Sequence, residues 1–110
     1  MSNLIVNLGG EGEVPGVVNV QGDWAQDPSW RSSAGGQTLA QLQAAGHQFI
    51  FVADFRNLPF ADNSVHQVIT NSVPVDQNTF LGPGIQSSEV ERILARGGTW
   101  VDNGSTRMTK

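Results

Sequence analysis

The residues of this chain that could do chemistry lie in short polar stretches between apolar runs. The first is "NLGGEG", where Gly9, Gly10 and Gly12 surround the carboxylate of Glu11. Glycine is kept where a chain must turn sharply or let another group come close to its backbone. These three residues therefore suit a small-molecule cradle, and a simple tight turn would use them equally well. Further polar residues close the later apolar runs: Asn19 and Gln21, then Asp54 beside Phe55, then Asn71 beside Ser72. Cysteine is absent and the only histidines are His47 and His66. That removes a disulfide framework, a thiolate metal site and a His-rich zinc site. Asp62, in "ADNS", reads as a turn acid and His66 as an exposed or satisfied histidine. Trp24 and Trp30 read as loop anchors.

Bulk properties narrow the field. With 110 residues the chain fits one domain, residues 1–110. Its net charge is −4 and its six basic residues (Arg31, Arg56, Arg92, Arg96, Arg107, Lys110) are scattered. A duplex nucleic-acid surface needs them clustered. No apolar run approaches the roughly 18 residues of a membrane span. "MSN" puts no basic region before an apolar stretch, so no signal peptide is visible. A cytoplasmic protein is expected, or one delivered to a target-cell cytoplasm as part of something larger.

The elements that must position these residues follow from the apolar pattern. "LIVNL" (Leu4–Leu8) and "GVVNVQ" (Gly16–Gln21) read as strands, and Gly22–Gly36 as a long loop. Leu39, Leu42 and Ala45 keep helical spacing, with Gly46 as a left-handed cap. "QFIFVADF" reads as a strand ending at Asp54, "LPFADNS" as a turn, and "VHQVITN" as a fourth strand ending at Asn71. Ser72–Gln86 is irregular. "SSEVERILARGG" predicts a helix with a Ser88–Glu91 capping box, an apolar face of Val90, Ile93 and Leu94, and Gly97-Gly98 as its stop. "TWVDN" reads as the last strand. Mostly continuous apolar strands point to a sheet buried on both faces, hence parallel and α/β. Ligands of such sheets bind at the strands' carboxyl ends. These are Gly9–Gly12, Asn19–Gln21, Asp54–Phe55, Asn71–Ser72 and Asp102–Asn103, all polar or glycine.

Three blocks, "VNLGGEGEVPGVVNVQ", "ADFRNLPFADNSVHQVITNS" and "EVERILARGGTWV", resemble class I S-adenosylmethionine-dependent methyltransferases over most of residues 4–103. The resemblance implies a reduced Rossmann-like fold, with a mostly parallel five-stranded sheet, two main helices and long loops. It implies S-adenosyl-L-methionine as cofactor. Gly9, Gly10 and Gly12 would approach its methionine part. Gln21, with Asn19 before it, would take the ribose hydroxyls; Asp54 would accept from the adenine amino group beside the apolar face of Phe55. Asn71 falls where the family places substrate-facing polar groups. Glu11 would face the sulfonium or act as a base, although a solvated side chain is the commoner outcome for such a residue. Methyl transfer asks mainly for placement, so no acid–base set is required.

The chain departs from the family's pattern. The family's acid at the end of strand one is Asn7 here, the acid after strand two is Gln21, and the Gly9–Gly16 connection is too short for a crossover helix. The chain also ends just after strand five. Two helices leave part of the sheet open, and exposed apolar patches mark partner sites. A homo-oligomer, or attachment to a parent polypeptide, is therefore expected. Short segments of this kind are also similar to carboxyl-terminal modules of bacterial polymorphic or Rhs-type toxins, which an immunity protein would cover. A third reading is a non-catalytic binding module that kept the fold.

Overall fold

A computed structural model describes residues 3–110; Met1 and Ser2, on which the reading of the N-terminus partly rests, lie outside the described residues. In chain order the elements are β1 (Ile5–Leu8), β2 (Val18–Gly22), a 3-10 turn (Asp23–Gln26), α1 (Leu39–Ala44), β3 (Gln48–Val52), β4 (Val65–Thr70), β5 (Asn78–Thr79), β6 (Gly82–Pro83), α2 (Ser87–Ile93), β7 (Leu94–Asp102) and β8 (Ser105–Thr109). Six strands form one mixed sheet in the order β3-β2-β1-β4-β7-β8. The first four neighbouring pairs are parallel, β1 and β2 among them, with Val6 opposite Val18 and Leu8 opposite Val20. The α/β expectation holds, with two helices and a mostly parallel sheet.

The expected five strands are six. β8 returns antiparallel on β7, with Asp102 opposite Ser105. Its turn is Asn103-Gly104, both in the left-handed region at φ +51° and +82°. That pair favours a two-residue hairpin because it matches the strands' own twist. The Ser72–Gln86 stretch also contains a small hairpin, β5 against β6.

The register sorts the side chains onto two unlike faces. Val6, Leu8, Val20, Val52, Val68 and Trp100 share one face and join Val90 and Ile93 of α2 in the buried cluster. Asn7, Asn19 and Gln21 lie on the opposite face, fully or almost fully buried. On that face Phe49, Phe51, Ile69 and Val101 are only half-buried. So β1 and β2 are not continuous apolar runs: β2 alternates aliphatic and amide side chains, and β1 carries Asn7 between Val6 and Leu8.

The buried amides explain the short connection. Parallel neighbours are normally joined by a dozen or more residues carrying a helix, but here residues 9–17 suffice. Without a helix, that loop's backbone polar groups need other partners. The sheet supplies them. Gln21 Nε2 donates to Gly10 O (3.0 Å) and Asn19 Oδ1 accepts from Gly12 N–H (3.3 Å). Asn19 Nδ2 donates to Gln48 O of the next strand (2.9 Å). Gly10 lies so close that a Cβ there would stand 2.3 Å from Asn19 Oδ1 and 2.7 Å from Asn7 Cγ.

α1 ends as expected, whereas α2 differs from expectation at both ends. α1 carries a full capping box, Thr38 with Gln41. It closes as expected on Gly46 (φ +97°), whose N–H bonds Gln43 O while His47 N–H bonds Leu42 O. α2 has no Ser88–Glu91 box; its N-cap is Gln86, without a side-chain cap. Instead Asp76 accepts from the Ser87 N–H (2.9 Å) and the Ser87 hydroxyl. α2 also stops at Ile93, before Gly97-Gly98. Leu94 turns extended and pairs with Val65, so it belongs to β7 rather than to the helix face. The two glycines serve a bulge in β7, where the register jumps between Val65 and Gln67. A Cβ on Gly98 would stand 2.7 Å from His66 O. No helix among the described residues is long and apolar enough to cross a membrane.

Candidate functional site

In the parallel part of the sheet the strand order reverses between β1 and β4, and open α/β sheets bind ligands outside the carboxyl ends at such a reversal. The chain leaves β1 into a sharp turn there. Gly9 adopts φ +77° while its N–H bonds Val20 O at 2.7 Å. A Cβ on Gly9 would stand 2.6 Å from Val73 Cγ1. Across the reversal, Asn71–Val73 leave β4 over the C-terminal hairpin. Asn103 Oδ1 accepts from Ser72 N–H (2.7 Å), and Asn103 N–H donates to Thr70 O (2.9 Å). Trp100 Nε1 donates to Thr70 Oγ1 (2.9 Å), and that hydroxyl donates to Asp102 Oδ1 (2.7 Å). The unforeseen β8 hairpin thus braces one wall of the site.

Two clefts meet here. A polar cleft of about 460 Å³ is lined by Gly9, Glu11, Gly12, Glu13, Asn71 and the Ser32–Gly35 loop. An apolar cleft of about 260 Å³ is lined by Gln21, Trp24, Phe55, Phe80, Leu81 and Ile85 among others. Gly9, Glu11 and Val73 belong to both. Trp24 and Phe55 stand edge to face at 6.1 Å in the apolar wall. Phe80 tips the β5–β6 hairpin and is 97% exposed.

Two carboxylates organise the polar cleft. Glu11 reaches across to the long loop, accepting from Ser33 N–H (2.8 Å) and Ser33 Oγ (3.2 Å). It straps the two loops together while staying partly exposed. Glu13 bridges the two central strands. Its Oε2 accepts from Asn7 Nδ2 (2.6 Å) and Asn71 Nδ2 (2.9 Å), and its Oε1 from Glu11 N–H (2.7 Å). Burial pushes the Glu13 carboxyl up, but these donors together outweigh it and hold it below the usual carboxylate range. Neither cleft is lined by a Lys, Arg or His.

The expected cofactor residues divide. Gly9 faces both clefts, Gly12 and Asn71 the polar one, Gln21 and Phe55 the apolar one. Gly10 and Asn19 line neither; they hold the loop onto the sheet. Asp54 also lines neither. It accepts from Arg56 N–H (2.8 Å) and pairs with the Arg56 guanidinium (3.0 Å), which keeps its carboxyl below the usual range. The hollow therefore sits beside the first glycines without the acid at position 54.

The sequence alone did not bring Glu13, Phe80 and Ser33 to the site, and Trp24, expected as a loop anchor, also lines the apolar cleft. A second acid two residues after Glu11, in a loop too short for a helix, was a signal for Glu13. An apolar Phe80-Leu81 pair inside a polar stretch was one for the hairpin tip. Among the described residues no cluster of His, Asp and Glu could hold a metal ion. No family model matches the chain, and neither a curated protein nor a solved structure matches it.

Proposed function

We propose that the chain is a reduced, Rossmann-like S-adenosylmethionine-dependent methyltransferase whose cofactor lies across the two clefts. The observation that carries this reading is the junction at Gly9, Glu11 and Val73, where an aromatic-walled cleft opens into an acidic one. Purine rings favour apolar and aromatic walls, and Trp24 with Phe55 provides them. Phosphates would need cationic or helix-terminal donors, whereas this junction offers two carboxylates. A nucleoside carrying positive charge fits; a dinucleotide with a pyrophosphate does not. The combined space lies in the range of small-ligand pockets, roughly 300–1,000 Å³.

When bound, the cofactor supplies a methyl group on a sulfonium that departs as a neutral thioether. The chain's own contribution is placement. Trp24 and Phe55 hold the base, Gln21 offers its amide to the ribose, and Glu11 sits where the positive charge arrives. Asn71 and the polar cleft hold the methyl acceptor. Titration calorimetry with S-adenosylhomocysteine tests the reading. Micromolar binding is expected, weakened tenfold or more by Phe55→Ala, with Asp54→Ala nearly unchanged. Absence of heat with both S-adenosylhomocysteine and S-adenosylmethionine ends the proposal.

The half-buried apolar side chains on the second face favour an accompanying reading. In it this is an effector domain of the toxin type, acting in a target cell and covered by an immunity partner, with the same cofactor site. Growth arrest on expression supports it; normal growth of cells making folded protein counts against it.

A further inference from the structure

The side chain of Asn7 poses a problem that the rest of the core does not. It is fully buried, and its Oδ1 has no hydrogen-bond partner among the described residues. Such an orphaned acceptor costs about 1–3 kcal/mol. An aliphatic residue would avoid that cost, since the neighbouring positions of β1 are Val6 and Leu8. What keeps the amide is its other end, because Nδ2 donates to Glu13 Oε2 at 2.6 Å.

The direction of that bond is forced. An ionised carboxylate has no proton and only accepts, so any amide facing it must present its nitrogen. Asn71 faces the same oxygen, at 2.9 Å. One carboxylate therefore fixes two amides, one at the end of each central strand, both with nitrogen turned towards Glu13. The consequence for Asn7 is the orphaned oxygen inside the core. The consequence for Asn71, which lines the polar cleft, is that its carbonyl oxygen is the end turned away from Glu13, while the nitrogen keeps a second N–H. Glu11 and Glu13 add acceptors to the same cleft, and no Lys, Arg or His lines it.

We propose that Glu13 is a positioning residue that locks Asn71 as a hydrogen-bond acceptor, so that the polar cleft selects a ligand group rich in N–H donors, an ammonium or guanidinium. This deepens the proposed function by naming the class of methyl acceptor, an amine or guanidine bound as its cation, and it rests on that reading. Before the transfer one N–H proton leaves the reacting nitrogen, to the Glu11 carboxylate or to water, and the freed lone pair then takes the methyl as the sulfonium departs as a thioether. Glu13 lines the same cleft, but both its oxygens are engaged by Asn7, Asn71 and the Glu11 N–H, so its effect on the donor preference passes through Asn71. A neutral residue at 13 frees Asn71 to present either end of its amide, and the preference for donors is lost.

The test compares two monocations of equal charge in an NMR titration of the whole chain. Methylguanidinium carries five N–H donors, and tetramethylammonium carries none. S-Adenosylhomocysteine is titrated first, so a failure of the nucleoside site is seen separately from a failure here. Methylguanidinium is expected to shift the Asn71 side-chain amide signals and to bind at least tenfold more tightly than tetramethylammonium. In Glu13→Gln the ratio falls towards one, and the Asn71 amide loses the slow hydrogen exchange expected of a group bonded to a carboxylate. Asn71→Ser, which removes the amide and leaves Glu13 in place, also loses the preference and serves if Glu13→Gln fails to fold. The proposal is overturned if the wild type binds both cations equally or neither. It is equally overturned if Glu13→Gln, or Asn71→Ser in its place, keeps the tenfold preference with S-adenosylhomocysteine binding unchanged.

Discussion

Gly10 shows how closely the loop after β1 is fitted to the sheet. Its missing side chain is what lets the backbone rest on Asn7 and Asn19, two side chains with no exposed surface. A methyl group there would meet Asn19 Oδ1 at 2.3 Å and Asn7 Cβ at 2.8 Å, and neither can withdraw without breaking a hydrogen bond. Overpacking a close-packed interior costs about 1–3 kcal/mol. Gly10→Ala is expected to reach the upper half of that range. Thermal unfolding would then shift down by roughly 8–24 °C, from about 4–8 °C per kcal/mol for a domain near this size. A shift under 2 °C would show that the loop yields freely and that the amides are not its support. The same residues mark what could be read from sequence. The glycines' place at the mouth of β1 was legible from the apolar run before them. The use of Asn7, Asn19 and Gln21 was not, because their partners are backbone atoms of another segment. A family pattern makes them look like weakened ligand residues; Asn19 and Gln21 also bond the loop's backbone in place of an absent helix, and Asn7 anchors Glu13. Asp54 was misplaced for a related reason: its nearest cation, Arg56, is two residues away and takes its carboxylate locally.

Among the elements, α2 depends on one guanidinium. Arg92 gives Glu89 two bonds, Nε to Oε1 (2.7 Å) and a terminal nitrogen to Oε2 (2.9 Å). It also donates to Phe60 O (2.8 Å) and Leu58 O (3.1 Å), while Glu89 Oε2 accepts from Leu58 N–H (2.9 Å). The helix is thereby riveted to the turn that feeds β4. The hydrogen bonds between the two side chains hold Glu89 below the usual carboxylate range. The further pairing with Asp62 is largely exposed and adds little. Arg92→Ala would leave two carbonyls and a carboxylate short of donors, an expected loss of about 2–4 kcal/mol in denaturant unfolding. Arg92→Lys keeps the charge but lacks the planar fork and should recover less than half. Full recovery by lysine would mean that charge alone matters. The Glu89–Arg92 spacing was visible in the sequence, and so was the apolar face of Val90 and Ile93. The helix's ends were not. Its start is set by Asp76, well upstream in the chain, and its stop by pairing with β4, so neither signal lies within a local window. The β8 hairpin was different: Asn103-Gly104 announced it locally, and the polar, exposed strand that follows hid it from a search for apolar runs.

The sheet's two faces make the molecule unevenly held. One face carries the aliphatic cluster with Trp100, Val90 and Ile93 fully buried. Burying each such side chain contributes about 1.5–3 kcal/mol. The other face holds the helix-less loop on Asn19 and Gln21 and leaves Phe49, Phe51, Ile69 and Val101 half-buried, while α1 contributes one buried residue, Leu42, and the long segment after β2 only Ala25 and Ser32. That segment is tied to the glycine loop chiefly through Glu11 and Ser33. Local opening free energies follow buried apolar contact, so the two faces should not open together. Hydrogen exchange should show β1, β4 and the second half of β7 protected to near the global limit. Amides of α1 and of residues 31–37 should exchange orders of magnitude faster, as one unit. Glu11→Gln, which weakens the strap without touching the core, should speed exchange in residues 31–37 several-fold and leave β4 unchanged. The polar cleft lies between these two regions, with Asn71 on the rigid side and Ser33 on the loose one. A ligand bridging them would therefore slow exchange in residues 31–37 selectively. If β4 and α1 instead exchange at one common rate, the domain opens only as a whole, and the cleft has no movable wall through which to admit a ligand.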